Sequence, residues 1–221
     1  MIKRIKIFGE RNSGTNFLKQ LLRQNISEIK FDSPYYLGGT GWKHGFPRLK
    51  YYNNTNEVLF IFIIRDLESW LISMYNNPYH YNIPERIEDF VYGNLSISDN
   101  RKDHDVNLYR GERQNIIELR YAKIRRYMSF FDSVPNAIFI NLEDLQNNNS
   151  KFLDFLKSKY ALKTAEIPVK IEKHTKAPDE KNCNRKYTTV LPNISNRDND
   201  IELKVSGLKK NYLYKSSFNQ R

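Results

Sequence analysis

The chain has 221 residues and a formal charge of +11 at neutral pH, from 36 lysines and arginines against 25 aspartates and glutamates. Its 39% hydrophobic and 14% aromatic content excludes a disordered chain and is enough for the core of one domain. The single cysteine, Cys183, excludes an intrachain disulfide framework and argues against a zinc site built on cysteines. The longest apolar run, Val58–Ile64, is too short to cross a bilayer, so we expect a soluble, cytoplasmic protein with no membrane partner.

Spacing and turn residues predict strands that alternate with helices along the chain. In chain order these are a strand Lys3–Phe8, a helix Thr15–Gln24, a buried strand Glu57–Ile64, a helix capped by Asp66 and running to about Tyr75, a long amphipathic helix Asn115–Phe131, a strand Ala137–Asn141, and a helix Lys151–Tyr160 preceded by Glu143–Asp144. This alternation predicts the α/β class, with a central parallel sheet between two helix layers. We expect one domain over residues 1–221, with a core in about 1–165 and a basic C-terminal region in 166–221.

Ligands of parallel sheets bind beyond the carboxyl ends of the strands, and the first predicted strand is followed by Gly9-Glu-Arg-Asn-Ser-Gly-Thr-Asn16. Two glycines five apart between a strand and a helix are typical of a loop that cradles a phosphate with its backbone amides. Thr15 and Asn16 stand where a nucleotide-binding P-loop has Lys and Ser or Thr. This difference disfavours an ordinary NTPase and leaves Arg11 as the cation within the loop.

The second predicted strand ends at Arg65, and Ser73 lies two turns into the helix that follows. A guanidinium fork and a hydroxyl suit a phosphate. The alternative is that Arg65 pairs with a nearby carboxylate and Ser73 makes a helix contact.

These two segments together resemble the sulfotransferase family that uses 3'-phosphoadenosine 5'-phosphosulfate (PAPS). The first is similar to that family's Pro-Lys-Ser-Gly-Thr-Thr-Trp loop, and Arg65 and Ser73 have the spacing of its Arg and Ser ligands of the 3'-phosphate. A third segment, Ala137–Leu145, resembles the family's strand followed by Tyr-Glu-Asp-Leu. The resemblance covers about residues 3–160 and implies a P-loop NTPase-like sulfotransferase architecture.

The resemblance also implies site residues. The donor PAPS and its product, adenosine 3',5'-bisphosphate, are expected to bind the loop residues Arg11, Asn12, Ser13, Gly14, Thr15 and Asn16, together with Arg65 and Ser73. Asn12 stands where the family has its loop Lys, so we assign the charge on the leaving phosphate to Arg11. The family's C-terminal Arg-Lys-Gly loop is represented here by Arg185-Lys186 as the nearest candidate.

Transfer to an alcohol requires a base, and imidazole suits that role near neutral pH. Trp42-Lys-His-Gly-Phe-Pro47 resembles the family's Lys-Thr-His-Leu-Pro segment with one residue fewer, so we predict His44 as the general base and Lys43 as a sulfate contact. If this segment is a strand, the adjacent side chains of Lys43 and His44 point apart. By default His80, His104 and His174 are interpreted as surface residues.

The predicted activity is transfer of a sulfuryl group from PAPS to a hydroxyl or amine of an unidentified carbohydrate, small molecule or protein, with no metal. Tyr35, Tyr36, Tyr79 and Tyr81 are candidates for stacking on the acceptor, or are ordinary packing residues. Lys and Arg at 120, 123, 125 and 126 are interpreted as a solvated helix face. Three alternatives stay open: a P-loop kinase or nucleotide phosphotransferase, a non-catalytic nucleotide-binding protein, and a basic nucleic-acid-binding protein, the last disfavoured because no nucleic-acid-binding motif is present.

Overall fold

The protein is an α/β structure built on a four-stranded parallel sheet. The computed structural model describes residues 1–32, 41–52, 54–78, 81–94, 115–169 and 171. The strands are β1 (Arg4–Gly9), β2 (Lys30–Phe31), β3 (Val58–Ile64) and β4 (Ala137–Asn141), in the spatial order β2-β1-β3-β4. Pairing is parallel throughout, with Gly9 opposite Ile63 and Ile64 opposite Asn141. The carboxyl ends of β1, β3 and β4 therefore meet at one edge of the sheet.

Helices connect the strands and flank the sheet. They are α1 (Thr15–Asn25), α2 (Leu67–Asn76), α3 (Ile87–Tyr92), α4 (Ile116–Asp132), α5 (Leu142–Asn147) and α6 (Asn149–Tyr160). Short 3₁₀ turns at Leu49–Tyr51 and Thr55–Glu57 precede β3. Among the described residues no helix is long and apolar enough to span a membrane.

The two faces of the sheet bury different kinds of side chain. All seven residues of β3 are buried. Because successive residues of a strand point to opposite faces, its two phenylalanines lie on one face of the sheet, and Leu59, Ile61 and Ile63 lie on the other. The latter three pack with branched aliphatic side chains of β1 and β4 beneath α1 and α6. We name this side of the sheet the aliphatic face. Phe60 and Phe62 pack under α4 on the opposite side, which we name the aromatic face. This arrangement is consistent with a three-layer αβα fold.

Contacts between aromatic rings stabilise the aromatic face. Phe62 stacks on Phe8 with 5.6 Å between ring centroids and on Phe139 with 4.9 Å. Phe130 of α4 meets Phe60 edge-on at 5.0 Å. Such pairs add to the stabilisation that burial alone provides, so α4 is fixed firmly against the sheet.

Several predicted boundaries are corrected by the structure. Glu57 belongs to a 3₁₀ turn and not to β3. The long helix begins one residue after Asn115, which caps it in a reciprocal arrangement with Glu118. The segment before the last helix is itself helical, as α5. The strand β2, two residues long, was not predicted because so short a segment has no detectable period.

The prediction that Asp66 caps the helix after β3 is confirmed in position only. Asp66 occupies the position before α2, but its side chain makes no capping hydrogen bond. Its Oδ1 instead accepts a hydrogen bond from Nδ2 of Asn141, at 2.8 Å. Asn141 in turn caps α5, because its Oδ1 accepts from the backbone N–H of Glu143 at 2.8 Å. The ends of β3 and β4 are thereby joined side by side.

Candidate functional site

The loop between β1 and α1 needs both of its glycines. A Cβ at Gly9 would lie 2.5 Å from the carbonyl oxygen of Ile63 on the neighbouring strand. Gly14 has φ +90°, a conformation that L side chains rarely adopt, and a Cβ there would collide with Leu142 of α5. Asn12 is also left-handed, with φ 60°. The chain therefore turns tightly and closely against the ends of β3 and α5 before α1 begins.

The N-terminus of α1 has the features of an anion site. The first helical hydrogen bond runs from the N–H of Leu18 to the carbonyl of Gly14, at 3.0 Å. The amides of Thr15, Asn16 and Phe17 precede it and have no acceptor within the helix. The first turn has no acidic residue and no side-chain cap. Its positive dipole end is thus not neutralised by the helix's own side chains.

The loop side chains are used mostly to hold the loop in place. Ser13 is fully buried, and its hydroxyl donates to the carbonyl of Glu10 at 2.7 Å. Thr15 is also buried, whereas Asn16 is exposed. The side-chain amide of Asn12 donates to the carbonyls of Ser73 and Asn77, at 3.2 and 2.9 Å. In this loop the backbone amides are therefore more available to a ligand than the side chains are.

The loop and the end of β3 are brought together, as the spacing predicts. Nη1 of Arg65 donates to the carbonyl of Asn12 at 3.3 Å, and Asn12 also reaches the carbonyl of Ser73 as described. Ser73 is half-buried on α2. Arg65 also has a carboxylate neighbour, since its Nε lies 3.6 Å from Oε1 of Glu143. Arg65 therefore lies next to the glycine loop and also pairs with a carboxylate, which the sequence had offered as an alternative to a phosphate-binding role.

Lys43 and His44 both contact the loop, and the strand on which the expectation of opposed side chains depended is not present. Residues 42–45 form a turn, closed by the N–H of Gly45 on the carbonyl of Trp42 at 3.0 Å, and not a strand. Nζ of Lys43 donates to Oδ1 of Asn16 at 2.6 Å. Nδ1 of His44 lies 2.7 Å from the carbonyl oxygen of Gly9.

The contact with Gly9 fixes the chemistry of His44. A carbonyl only accepts, so Nδ1 carries the proton and Nε2 is the basic nitrogen. Burial lowers the pKa of His44 well below 6.5, and the nearby charge of Lys43 acts in the same direction, while the hydrogen bond to Gly9 opposes them. The charges of Arg11 and Lys123 lower that pKa further. His44 is therefore neutral at neutral pH, the form that accepts a proton.

A buried ion pair supports the loop from α4, and the sequence did not reveal it. Nη1 of Arg120 lies 2.5 Å from Oε2 of Glu10, with both side chains almost fully buried. Nη2 of the same guanidinium donates to the carbonyl of Arg65 at 2.7 Å. The ring of Trp70 stacks on Arg120, 4.7 Å away, and its N–H donates to the carbonyl of Arg11 at 2.8 Å. One arginine therefore contacts both the glycine loop and the end of β3.

The predicted solvated face of α4 is only half correct. Arg125 and Arg126 are exposed, but Arg120 and Lys123 are buried, with 0% and 3% exposure. Their burial could have been predicted from the sequence, because Arg120 and Lys123 lie on the same helix face as Ile116 and have the spacing of core residues. Cations at core positions of an amphipathic helix indicate a buried polar site.

The guanidinium of Arg11, 7% exposed, lies among aromatic rings. It stacks 4.7 Å from the ring of Trp42 and 5.7 Å from that of Tyr81. Tyr81 is itself buried, which places one of the predicted acceptor-side tyrosines at the site. The other candidates fall outside the part of the chain that the structure describes: Tyr35, Tyr36, Tyr79, His80, His104, His174, Arg185 and Lys186.

Comparisons of the chain with models of known protein families, with characterised proteins and with solved structures find no match.

Proposed function

We propose that the chain is a PAPS-dependent sulfotransferase with a P-loop NTPase-like architecture. The observation that carries the proposal is the meeting of two distant segments at one sheet edge. Asn12 of the glycine loop contacts both the Arg65 guanidinium and the backbone of Ser73. These are the two segments that resemble the family's nucleotide signature, and the parallel pairing of β1 with β3 brings them together at one edge of the sheet.

The residues present fit a nucleotide with phosphates at two positions. The amides that begin α1 suit the 5'-phosphate, and Arg65 with Ser73 suits the 3'-phosphate. The neighbouring Glu143 does not exclude this, because a guanidinium has five N–H donors and serves a carboxylate, the Asn12 carbonyl and a phosphate together. Glu143 would also fix the orientation of the fork.

In the proposed reaction the acceptor oxygen attacks the sulfur of the donor. A new S–O bond forms, the S–O bond to the 5'-phosphate breaks, and adenosine 3',5'-bisphosphate leaves with the electron pair. The acceptor's proton goes to Nε2 of His44, which is basic because Nδ1 is committed to the Gly9 carbonyl.

Lys43 and Arg11 supply positive charge at the loop. Lys43 is held on Asn16 at the first turn of α1, so its charge adds to that of the helix N-terminus. Arg11 is held against the rings of Trp42 and Tyr81. Cations placed in advance stabilise charge that develops during transfer, because they need no reorganisation at the moment of reaction.

The test is calorimetry with adenosine 3',5'-bisphosphate on the wild-type chain, on Arg65→Ala and on Arg125→Ala. Both variants lose one positive charge, but Arg125 is exposed on α4. We expect Arg65→Ala to weaken binding about 10- to 100-fold, the usual cost of lost hydrogen bonds to a charged group, and Arg125→Ala to leave it unchanged. No binding by the wild-type chain, or equal losses in the two variants, would overturn the proposal.

A further inference from the structure

Lys6, in the middle of β1, is a buried cation that the proposed reaction does not use. Its side chain is 1% exposed and lies on the aromatic face, with Nζ 5.2 Å from the centroid of the Phe8 ring. In the sheet Lys6 stands opposite Phe60 of β3. An apolar side chain would suit these surroundings better, because burying a charge costs free energy unless the charge is paired or hydrogen-bonded. A lysine at this position therefore indicates a role for its ammonium group.

The ammonium group of Lys6 reaches the segment that carries the predicted base. Its Nζ donates to the carbonyl oxygen of Gly41 at 2.6 Å, and this contact is itself buried. Gly41 directly precedes the turn at residues 42–45. Since glycine has no side chain that could pack, its carbonyl is the group through which this point of the chain can be held. The hydrogen bond thereby joins β1 to the start of the turn.

The other end of the turn is attached to the last residue of the same strand. The N–H of Gly9 donates to the carbonyl of Lys43 at 2.9 Å, and the Gly9 carbonyl faces Nδ1 of His44 at 2.7 Å. These contacts are made by residues 43 and 44, whereas the contact with Lys6 is made by residue 41. The segment from Gly41 to His44 is therefore attached to β1 at two separate points.

We propose that Lys6 is a positioning residue for the proposed general base: its hydrogen bond to Gly41 keeps the turn in contact with β1 and so keeps Nδ1 of His44 on the Gly9 carbonyl. Lys6 acts through the backbone of residues 41–44 and is not a catalytic residue. Without its hydrogen bond the turn loses one of these two attachments, and the ring of His44 is less restricted. The role of His44 as a base rests on the proposed function, whereas the effect of Lys6 on the state of the ring does not.

Nitrogen NMR of the His44 imidazole in the wild-type chain and in Lys6→Met tests this directly. Methionine is apolar and flexible, so the variant should fold, but it cannot donate to Gly41. We expect the wild-type ring to carry its proton on Nδ1 and the variant to show both tautomers. The pKa of His44 should also rise toward 6.5 in the variant, because a less restricted ring is more exposed to water. The same tautomer and the same pKa in the two proteins would overturn the proposal.

Two control variants separate positioning from lost stability and from altered charge. Leu156→Ala creates a cavity on the aliphatic face, on the opposite side of the sheet from Lys6. Asp32→Asn removes a carboxylate whose charge acts on Lys6 but leaves Lys6 able to donate to Gly41. We expect neither variant to change the tautomer of His44. A change in either one as large as that in Lys6→Met would overturn the proposal.

The wild-type chain supplies a test that needs no variant to fold. Because the ammonium group of Lys6 is buried and hydrogen-bonded, its protons should exchange slowly with water and give a resolved NMR signal correlated with its nitrogen, unlike those of an exposed lysine. Exchange as fast as that of the exposed Lys151 would show that the contact with Gly41 does not form and would overturn the proposal.

Turnover then distinguishes this proposal from the proposed function. Lys6→Met should lower kcat about tenfold or more, because a misplacement of about 1 Å is enough for such a loss, and should leave the affinity for adenosine 3',5'-bisphosphate unchanged. An unchanged kcat, or an equal loss of nucleotide affinity, would overturn the positioning role. If the wild-type chain transfers no sulfuryl group, the proposed function fails, and the tautomer of His44 in Lys6→Met still decides whether Lys6 positions the ring.

Discussion

The aliphatic and aromatic faces of the sheet differ in the kinds of side chain that they bury. The aliphatic face buries Ile, Leu and a few aromatic side chains under α1 and α6. On the aromatic side the rings are accompanied by buried charged residues, among them Lys6, Glu10, Arg120 and Lys123. Burying an ion pair seldom improves stability over apolar packing. Charges retained there at such a cost are typical of a site that serves a role other than stability, so we expect substitutions on the aromatic face to affect ligand binding more than substitutions on the aliphatic face.

The largest expected effect comes from breaking the buried ion pair. Arg120→Met leaves the Glu10 carboxylate buried without its guanidinium and should lower the free energy of unfolding by about 3–5 kcal/mol. Urea unfolding measures this, with the exposed Arg126→Met as control. The double variant Glu10→Gln/Arg120→Met should recover much of the loss, because no isolated charge is left. A loss below about 1 kcal/mol in the single variant would contradict this role for the pair.

A core change on the aliphatic face should separate stability from binding. Leu156 of α6 is fully buried there, so Leu156→Ala should cost about 2–5 kcal/mol through the cavity it creates. We expect the folded protein to keep its affinity for adenosine 3',5'-bisphosphate, measured by calorimetry below the unfolding transition. A loss of affinity as large as that of Arg65→Ala would show that the two faces are not independent.

A smaller effect concerns Lys6 on the aromatic face. Burial lowers the pKa of Lys6 from 10.5 to about 8, against the opposing charge of Asp32. Between these two values the unfolded chain binds more protons than the folded one, so the free energy of unfolding should rise with pH. Relative to Lys6→Met, the rise should be at most about 1.4 kcal/mol per pH unit. Parallel stability curves from pH 8 to 10.5 for the two proteins would contradict the lowered pKa.

The smallest effect is spectroscopic and tests the base. With its pKa lowered, His44 should stay neutral on acidification to well below pH 6.5, with the proton on Nδ1. Nitrogen NMR shifts of the imidazole report both properties, and His44→Gln assigns the signals. Titration near pH 6.5 would mean that the ring is not buried as described, because burial is the main cause of the lowered pKa. A proton on Nε2 would mean that the Gly9 contact does not hold the ring.

Local patterns were enough to predict the glycine loop and three of the four strands of the sheet, all except β2. The apolar run of β3, the glycine spacing and the eight-residue interval from Arg65 to Ser73 are all features of neighbouring residues. The predicted proximity of the loop and Arg65 is confirmed by the contact through Asn12.

The rest of the site depends on contacts between distant residues. Glu10 and Arg120 are 110 positions apart, and nothing in one sequence pairs them. The turn at residues 42–45 lets both Lys43 and His44 contact the glycine loop, whereas a strand would have turned the two side chains to opposite faces.

One measurement tests the central claim most directly: parallel titrations of the chain with adenosine 3',5'-bisphosphate, ATP with Mg²⁺, and a short oligonucleotide. We expect the bisphosphate to bind tightly and to raise the melting temperature, with ATP much weaker and the oligonucleotide weak and lost with salt. Tight Mg²⁺-dependent ATP binding with no preference for the bisphosphate would contradict the sulfotransferase proposal and favour a phosphotransferase.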